Sequence, residues 1–121
     1  EIVELFIVSE DGGGSTILPL PENQPVLATE YIDTCYIDNF EWNDIGLIKL
    51  DVEGNELAVL RGAHDTIIDS GYPPIIFESN SHAWNVKHKS ELFNYLQVKF
   101  GYSIGEIKPF NNMFIAAIKD K

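Results

Sequence analysis

The run from Leu47 to Ala63, LIKLDVEGNELAVLRGA, constrains the fold more than any other part of the sequence. Over residues 45–52 it alternates: Ile48, Leu50 and Val52 fall on one side of an extended chain, and Leu47, Lys49, Asp51 and Glu53 on the other. That period of two marks a strand. Gly54 ends it, and Asn55 is placed to cap a helix that begins near Glu56. Leu57, Leu60, His64, Ile67 and Ile68 then recur every three or four residues, with Val59 and Ala63 beside them, the stripe of a helix lying on a sheet. Gly71, Pro73 and Pro74 stop that helix, and PIIFES, residues 74–79, is a second short strand. Two strands joined through one helix call for a parallel pair with a crossover connection.

The remaining segments extend this plan. EIVELFIVSE at the start is rich in Ile, Val and Phe and reads as a buried or half-buried strand. DGGGS after it is a turn rather than a phosphate-cradling loop, because such a loop leads into a helix, and the prolines at 19, 21 and 25 forbid one here. Residues 26–40 hold one further extended segment, and IDNFEWNDIG a short helical turn and loop. SELFNYLQVKFGY is a helix capped by Ser90, with Leu92, Phe93, Leu96 and Phe100 facing inward. YSIGEIKPF and NMFIAAIK close the chain as an antiparallel hairpin. The expected fold class is α/β: one domain over residues 1–121, with a mostly parallel sheet, crossover helices and an antiparallel closing hairpin.

Charge narrows the partners. A net charge of -11 argues against a nucleic-acid backbone or an anionic membrane, since both require a concentrated positive face. The one small basic cluster is Lys87, His88 and Lys89. Cys35 is the only cysteine, which excludes an internal disulfide and a cysteine-based zinc site; between polar and apolar neighbours it reads as a small buried hydrophobe. No apolar run approaches the roughly 20 residues of a membrane helix, and no segment resembles a signal peptide, so the cytoplasm is the expected compartment. The chain begins with Glu1, and its single methionine is Met113, so it is expected to be a piece of a longer polypeptide, a product of processing or an incomplete gene model.

In an open α/β sheet ligands bind beyond the carboxyl ends of the strands. Two strand exits carry acids here: Asp51 and Glu53 at one, Glu78 with Asn80 at the other. Neighbouring strands lie about 4.8 Å apart, so these side chains would stand within roughly 5–10 Å of each other. Carboxylates that close can bind a hard divalent cation through oxygen ligands, or let one act as general base on a hydroxyl. The competing structural reading pairs Lys49 with Asp51 and gives Glu53 and Glu78 to backbone N–H groups at turns. His82 follows the second exit as a base or ligand, or as a loop histidine. Trp84 either floors a substrate pocket or packs, while His64 and His88 fall on helix positions and read as structural or exposed.

LIKLDVEGNELAVLRGA followed by PPIIFES resembles the signature of the FkbM-type methyltransferases, through Ile48 to Gly54, then Glu56, Leu57, Leu60, Gly62 and Ala63, then Pro74 and Glu78. FIVSEDGGGS, CYIDNF, GYSIGEI and NMFIAAI agree more weakly, so the resemblance covers nearly the whole chain. It implies the carboxyl-terminal part of a Rossmann-like class I domain that transfers a methyl group from S-adenosylmethionine to a hydroxyl on a small molecule or glycan. It implies that Asp51 and Glu53 act at the reacting hydroxyl with His82 as reserve base, and that Glu78, Asn80 and Trp84 border the substrate. The family's cofactor-binding glycine loop and ribose-binding acid have no counterpart here. They are expected upstream of Glu1, and the chain alone is expected to be inactive. Whether a divalent metal takes part stays open. Two other readings compete: a non-catalytic methyltransferase fragment serving as a binding or assembly module, and a carboxylate–metal hydrolase.

Overall fold

A computed structural model describes residues 1–12, 14–52, 54–79 and 86–119. Its elements run in chain order as β1 (Ile2–Ile7), β2 (Ala28–Asp33), a 3-10 turn (Ile37–Phe40), β3 (Ile48–Leu50), α1 (Glu56–Gly62), α2 (His64–Asp69), β4 (Ile75–Glu78), α3 (Val86–Asn94), a π-helical turn (Tyr95–Lys99), β5 (Ser103–Glu106) and β6 (Met113–Ala117).

Four strands form a sheet in the order β3-β4-β6-β5. The expected parallel pair is present, β3 beside β4 with Leu50 opposite Phe77, and so is the antiparallel hairpin of β5 and β6. The sheet is nonetheless mixed rather than mostly parallel, because β6 returns between β4 and β5 and runs antiparallel to both. The opening strand does not join it: β1 and β2 pair antiparallel, Ile2 opposite Asp33 through Ile7 opposite Ala28, as a separate two-stranded sheet.

Strand alternation gives the four-stranded sheet a core face made of Leu50, Ile75, Phe77 and Ala116, all buried against the helices. Leu57, Leu60, Ala63 and Ile67 descend on it from α1 and α2, and Leu92, Leu96 and Phe100 from α3 and the turn beyond it. The inward stripe of that last helix is therefore as its spacing predicts. Phe77, Phe93 and Phe114 pack as three rings with centroids 5.1–5.7 Å apart, a favourable edge-and-offset arrangement. Tyr102 is buried and donates its hydroxyl to the Pro73 carbonyl at 2.7 Å, tying β5 to the approach of β4. Burial, with the neighbouring Tyr72, pushes its phenol up to about 12.

Several local expectations are corrected, each for a visible reason. β3 ends at Leu50 rather than Val52, because Val52 already opens the exit turn: its carbonyl accepts the Asn55 N–H at 3.3 Å. The single long helix is two. Asp38 of the 3-10 turn accepts the N–H groups of Asp65 (3.1 Å) and Thr66 (2.9 Å) and the Thr66 hydroxyl (2.8 Å). Those two N–H groups are then lost to the carbonyls four residues earlier, so the helix restarts after Ala63. Asn55 occupies the cap position without a side-chain cap bond. Ser90 lies inside α3, which already runs from Val86. The polar turn ahead of Ser90 finds partners there: Lys87 reaches Glu91 at 3.8 Å, and Lys89 lies over the rings of Phe114 and Phe93. Cys35 is exposed, on the outward parity that continues from Tyr31 and Asp33. Lys49 is exposed as well and is not the buried partner of an acid.

Two glycines serve close approaches. Gly54 has φ +95°, and a Cβ there would stand 3.0 Å from Leu18 Cδ1. At Gly62 a Cβ would meet the Tyr36 ring at 2.9 Å, so α1 lies directly against the segment that follows β2.

Candidate functional site

Asp51 immediately follows β3, and Glu78 is the last residue of β4. The register Lys49 to Ile76 and Leu50 to Phe77, carried one residue on, sets Asp51 beside Glu78. The two exits therefore lie side by side, with the strand separation of about 4.8 Å between them. Both residues are exposed, and by alternation both follow the Lys49/Ile76 face, opposite the helix-covered core. Two carboxylates so placed can accept hydrogen bonds from a hydroxyl, take its proton, or balance a cation.

Glu53, Asn80, His82 and Trp84, the other residues expected at the site, lie outside the described residues. Among the described residues no group of three or more His, Cys, Asp or Glu side chains is placed to hold a metal ion.

The exit turn is built from below. Gly54 turns the chain with positive φ and donates its N–H to Glu56 Oε1 at 3.4 Å, from the first residue of α1. Glu56 is buried, with only 7% of its side chain exposed, and its Oε2 lies 3.5 Å from His88 Nε2 on α3. That nitrogen is fully buried and meets hydrogen-bond geometry with no group among the described residues. A carboxylate at a helix start is favoured by the helix dipole, which offsets part of the desolvation.

The sequence marks Glu56 only as the start of a helix and a match to the family signature, with no place at the site, and it gives no sign of the cap made by Asp38. A signal for Glu56 exists: positions 56, 60, 63 and 67 form one buried helical stripe, and an acid holds its first slot. Asp38 carried no comparable signal, because its partners are 27 and 28 residues away. Burial raises the Asp38 carboxyl, but the donors of Thr66 and Asp65 and the nearby His64 outweigh it, and the net shift is downward. His64 itself is half-buried, bonded to Asp65 at 2.9 Å and packed on Phe100, the structural role expected of it.

A separate apolar cavity of about 190 Å³ opens beside β3 between the 3-10 turn and the helices, lined by Ile37, Trp42, Leu47, Leu50 and Leu60, with Thr66 its polar edge. Neither Asp51 nor Glu78 reaches it. Among the described residues no helix is long and apolar enough to cross a membrane.

No curated protein and no solved structure matches the chain. The sequence profile of the Methyltransferase FkbM domain does, over residues 3–104 of the 121, a span that takes in both strand exits, the Gly54 turn and the helices that carry Glu56 and His88. The chain therefore belongs to the FkbM methyltransferase family.

Proposed function

We propose that the protein takes part in S-adenosylmethionine-dependent methyl transfer to a hydroxyl of a small molecule or glycan, with the acceptor bound over the paired exits of β3 and β4. The observation that carries this is the meeting of two exposed carboxylates, Asp51 and Glu78, at adjacent parallel exits inside a span that matches a methyltransferase family. The parallel β3/β4 pair, its crossover helices and the closing hairpin support a Rossmann-like class I architecture, here its carboxyl-terminal part.

The residues present fit that cofactor's chemistry: exposed carboxylates at an open crevice suit both a sulfonium cation and a neutral hydroxyl. When bound, S-adenosylmethionine supplies an electrophilic methyl group. Asp51 or Glu53 orients the acceptor hydroxyl and takes its proton as the oxygen is methylated, with His82 as reserve base. Glu78, Asn80 and Trp84 frame the acceptor on the neighbouring exit. Holding the reactants in line supplies the larger part of the acceleration, and general-base help adds roughly 10²- to 10⁴-fold. No metal is needed for this scheme, and Asp51, Glu78 and Asn80 are the residues that would bind one.

The test is incorporation of labelled methyl from S-adenosylmethionine into a panel of hydroxyl acceptors by the full native polypeptide. Its Asp51→Ala, Glu53→Ala variant should lose at least about 100-fold in rate. Unchanged activity in that variant would remove the proposed roles. A folded polypeptide with no affinity for the methyl donor would instead favour a non-catalytic binding module.

A further inference from the structure

Glu56 is a buried carboxylate that the proposed chemistry does not use. It touches two segments that the sequence keeps far apart: the Gly54 turn, through Oε1, and the first turn of α3, through Oε2 and His88. The Gly54 turn leads out of the β3 exit that bears Asp51. The α3 turn follows the connection that begins at the β4 exit with Glu78 and includes Asn80, His82 and Trp84. One side chain thus joins the turn that follows the β3 exit to the first turn of α3.

We propose that Glu56 and His88 form a positioning pair for the methyl-transfer site, clamping the Gly54 turn beyond the β3 exit to the first turn of α3. The inference rests on the reading of the β3 and β4 exits as the site. The burial of Glu56 gives the clamp its strength. A carboxylate nine-tenths withdrawn from water interacts more strongly with its few partners than an exposed one does. Its removal leaves the Gly54 N–H without its side-chain acceptor and takes the carboxylate away from the buried His88 nitrogen. His88 sits two residues into α3, so the contact acts on the first turn of that helix. Packing is set further along by Leu92 and Leu96.

The test uses the full native polypeptide, with Glu56→Ala, Glu56→Gln and His88→Gln, and two measurements. In amide hydrogen exchange, Glu56→Ala should speed exchange about tenfold at Gly54 and Asn55, where a buried hydrogen bond to a charged group is lost, and should also speed it at residues 86–89, where the contact of Glu56 with His88 is lost. Amides of Leu50 and Phe77 should be unchanged. Glu56→Gln retains an acceptor oxygen and should restore protection at Gly54, while His88→Gln should affect residues 86–89 alone. In calorimetric titration with S-adenosylmethionine, Glu56→Ala and His88→Gln should weaken binding about tenfold, and Glu56→Gln by less, within the usual range of coupling between sites. Exchange that changes at Gly54 without any change at residues 86–89 would overturn the clamp. Coupled exchange with unaltered donor affinity would reduce the pair to a structural contact and overturn its positioning role. Wild-type protein without donor affinity would refute the methyl-transfer reading itself, while the exchange data still decide whether the clamp exists.

Discussion

Asp38 carries the sharpest stability prediction, because one side chain from the 3-10 turn caps a helix that follows 26 residues later. Substituting Asp38→Ala removes the acceptor for the N–H and the hydroxyl of Thr66 and for the N–H of Asp65. Asp65 is exposed, and water replaces the lost bond there at little cost. Thr66 is only 3% exposed, so its two donors are left buried without a partner. An unsatisfied buried donor costs about 1–3 kcal/mol, and a lost helix cap about 1 kcal/mol, so the substitution should destabilise by about 2–4 kcal/mol. Against a total of roughly 5–15 kcal/mol that is a large fraction. Urea unfolding at neutral pH reads it as a lower midpoint with unchanged slope. Asp38→Asn keeps one acceptor oxygen and should lose about half as much. The sign of the pH effect follows from the lowered carboxyl. A group more acidic when folded than when unfolded stabilises the fold above the unfolded carboxylate range, near pH 4, and loses that contribution as pH falls through its folded value. The acid limb of stability should therefore be shallower in Asp38→Asn than in wild type. An Asp38→Ala protein within 0.5 kcal/mol of wild type, roughly the scatter of neutral surface changes, would refute the capping argument.

Other substitutions test other joints of the structure. Gly54→Ala should destabilise by about 1–3 kcal/mol in the same unfolding assay, because φ +95° strains any other residue and Leu18 stands in the way. Phe77→Ala, at the centre of the three-ring cluster and fully buried, should lose about 3–5 kcal/mol. Tyr102→Phe should cost about 1 kcal/mol by orphaning the Pro73 carbonyl. Ultraviolet titration of the wild type should show one tyrosine, absent in Tyr102→Phe, ionising only near pH 12.

Sequence periodicity was enough for the parts of the fold whose partners are local. The alternation through Ile48 and Leu50, the stripe of Leu57, Leu60 and Ile67, and the closing hairpin all reappear because each pattern reports one face of one element. What stayed hidden depends on contacts between distant residues. Asp38 splits a helix that periodicity alone would continue, and Lys89 finds two aromatic rings that turn a charged run into the first turn of α3. The placement of β6 between β4 and β5, and the separation of β1 and β2 from the larger sheet, have no short-range signature either. At the site, Asp51 and Glu78 were legible because acids at strand exits stand out against apolar runs. Glu56 was not, because it shares its helical stripe with the core and resembles a solvated first-turn acid until its burial is known.

The most direct test of methyl transfer over the β3 and β4 exits is a filter or mass-spectrometric assay that follows a labelled methyl group from S-adenosylmethionine to a hydroxyl-bearing acceptor. The full native polypeptide should transfer the label, and its Asp51→Ala, Glu53→Ala variant should fall at least about 100-fold behind while remaining folded. Equal transfer by both proteins, or a wild type that neither binds nor turns over the donor, would contradict it.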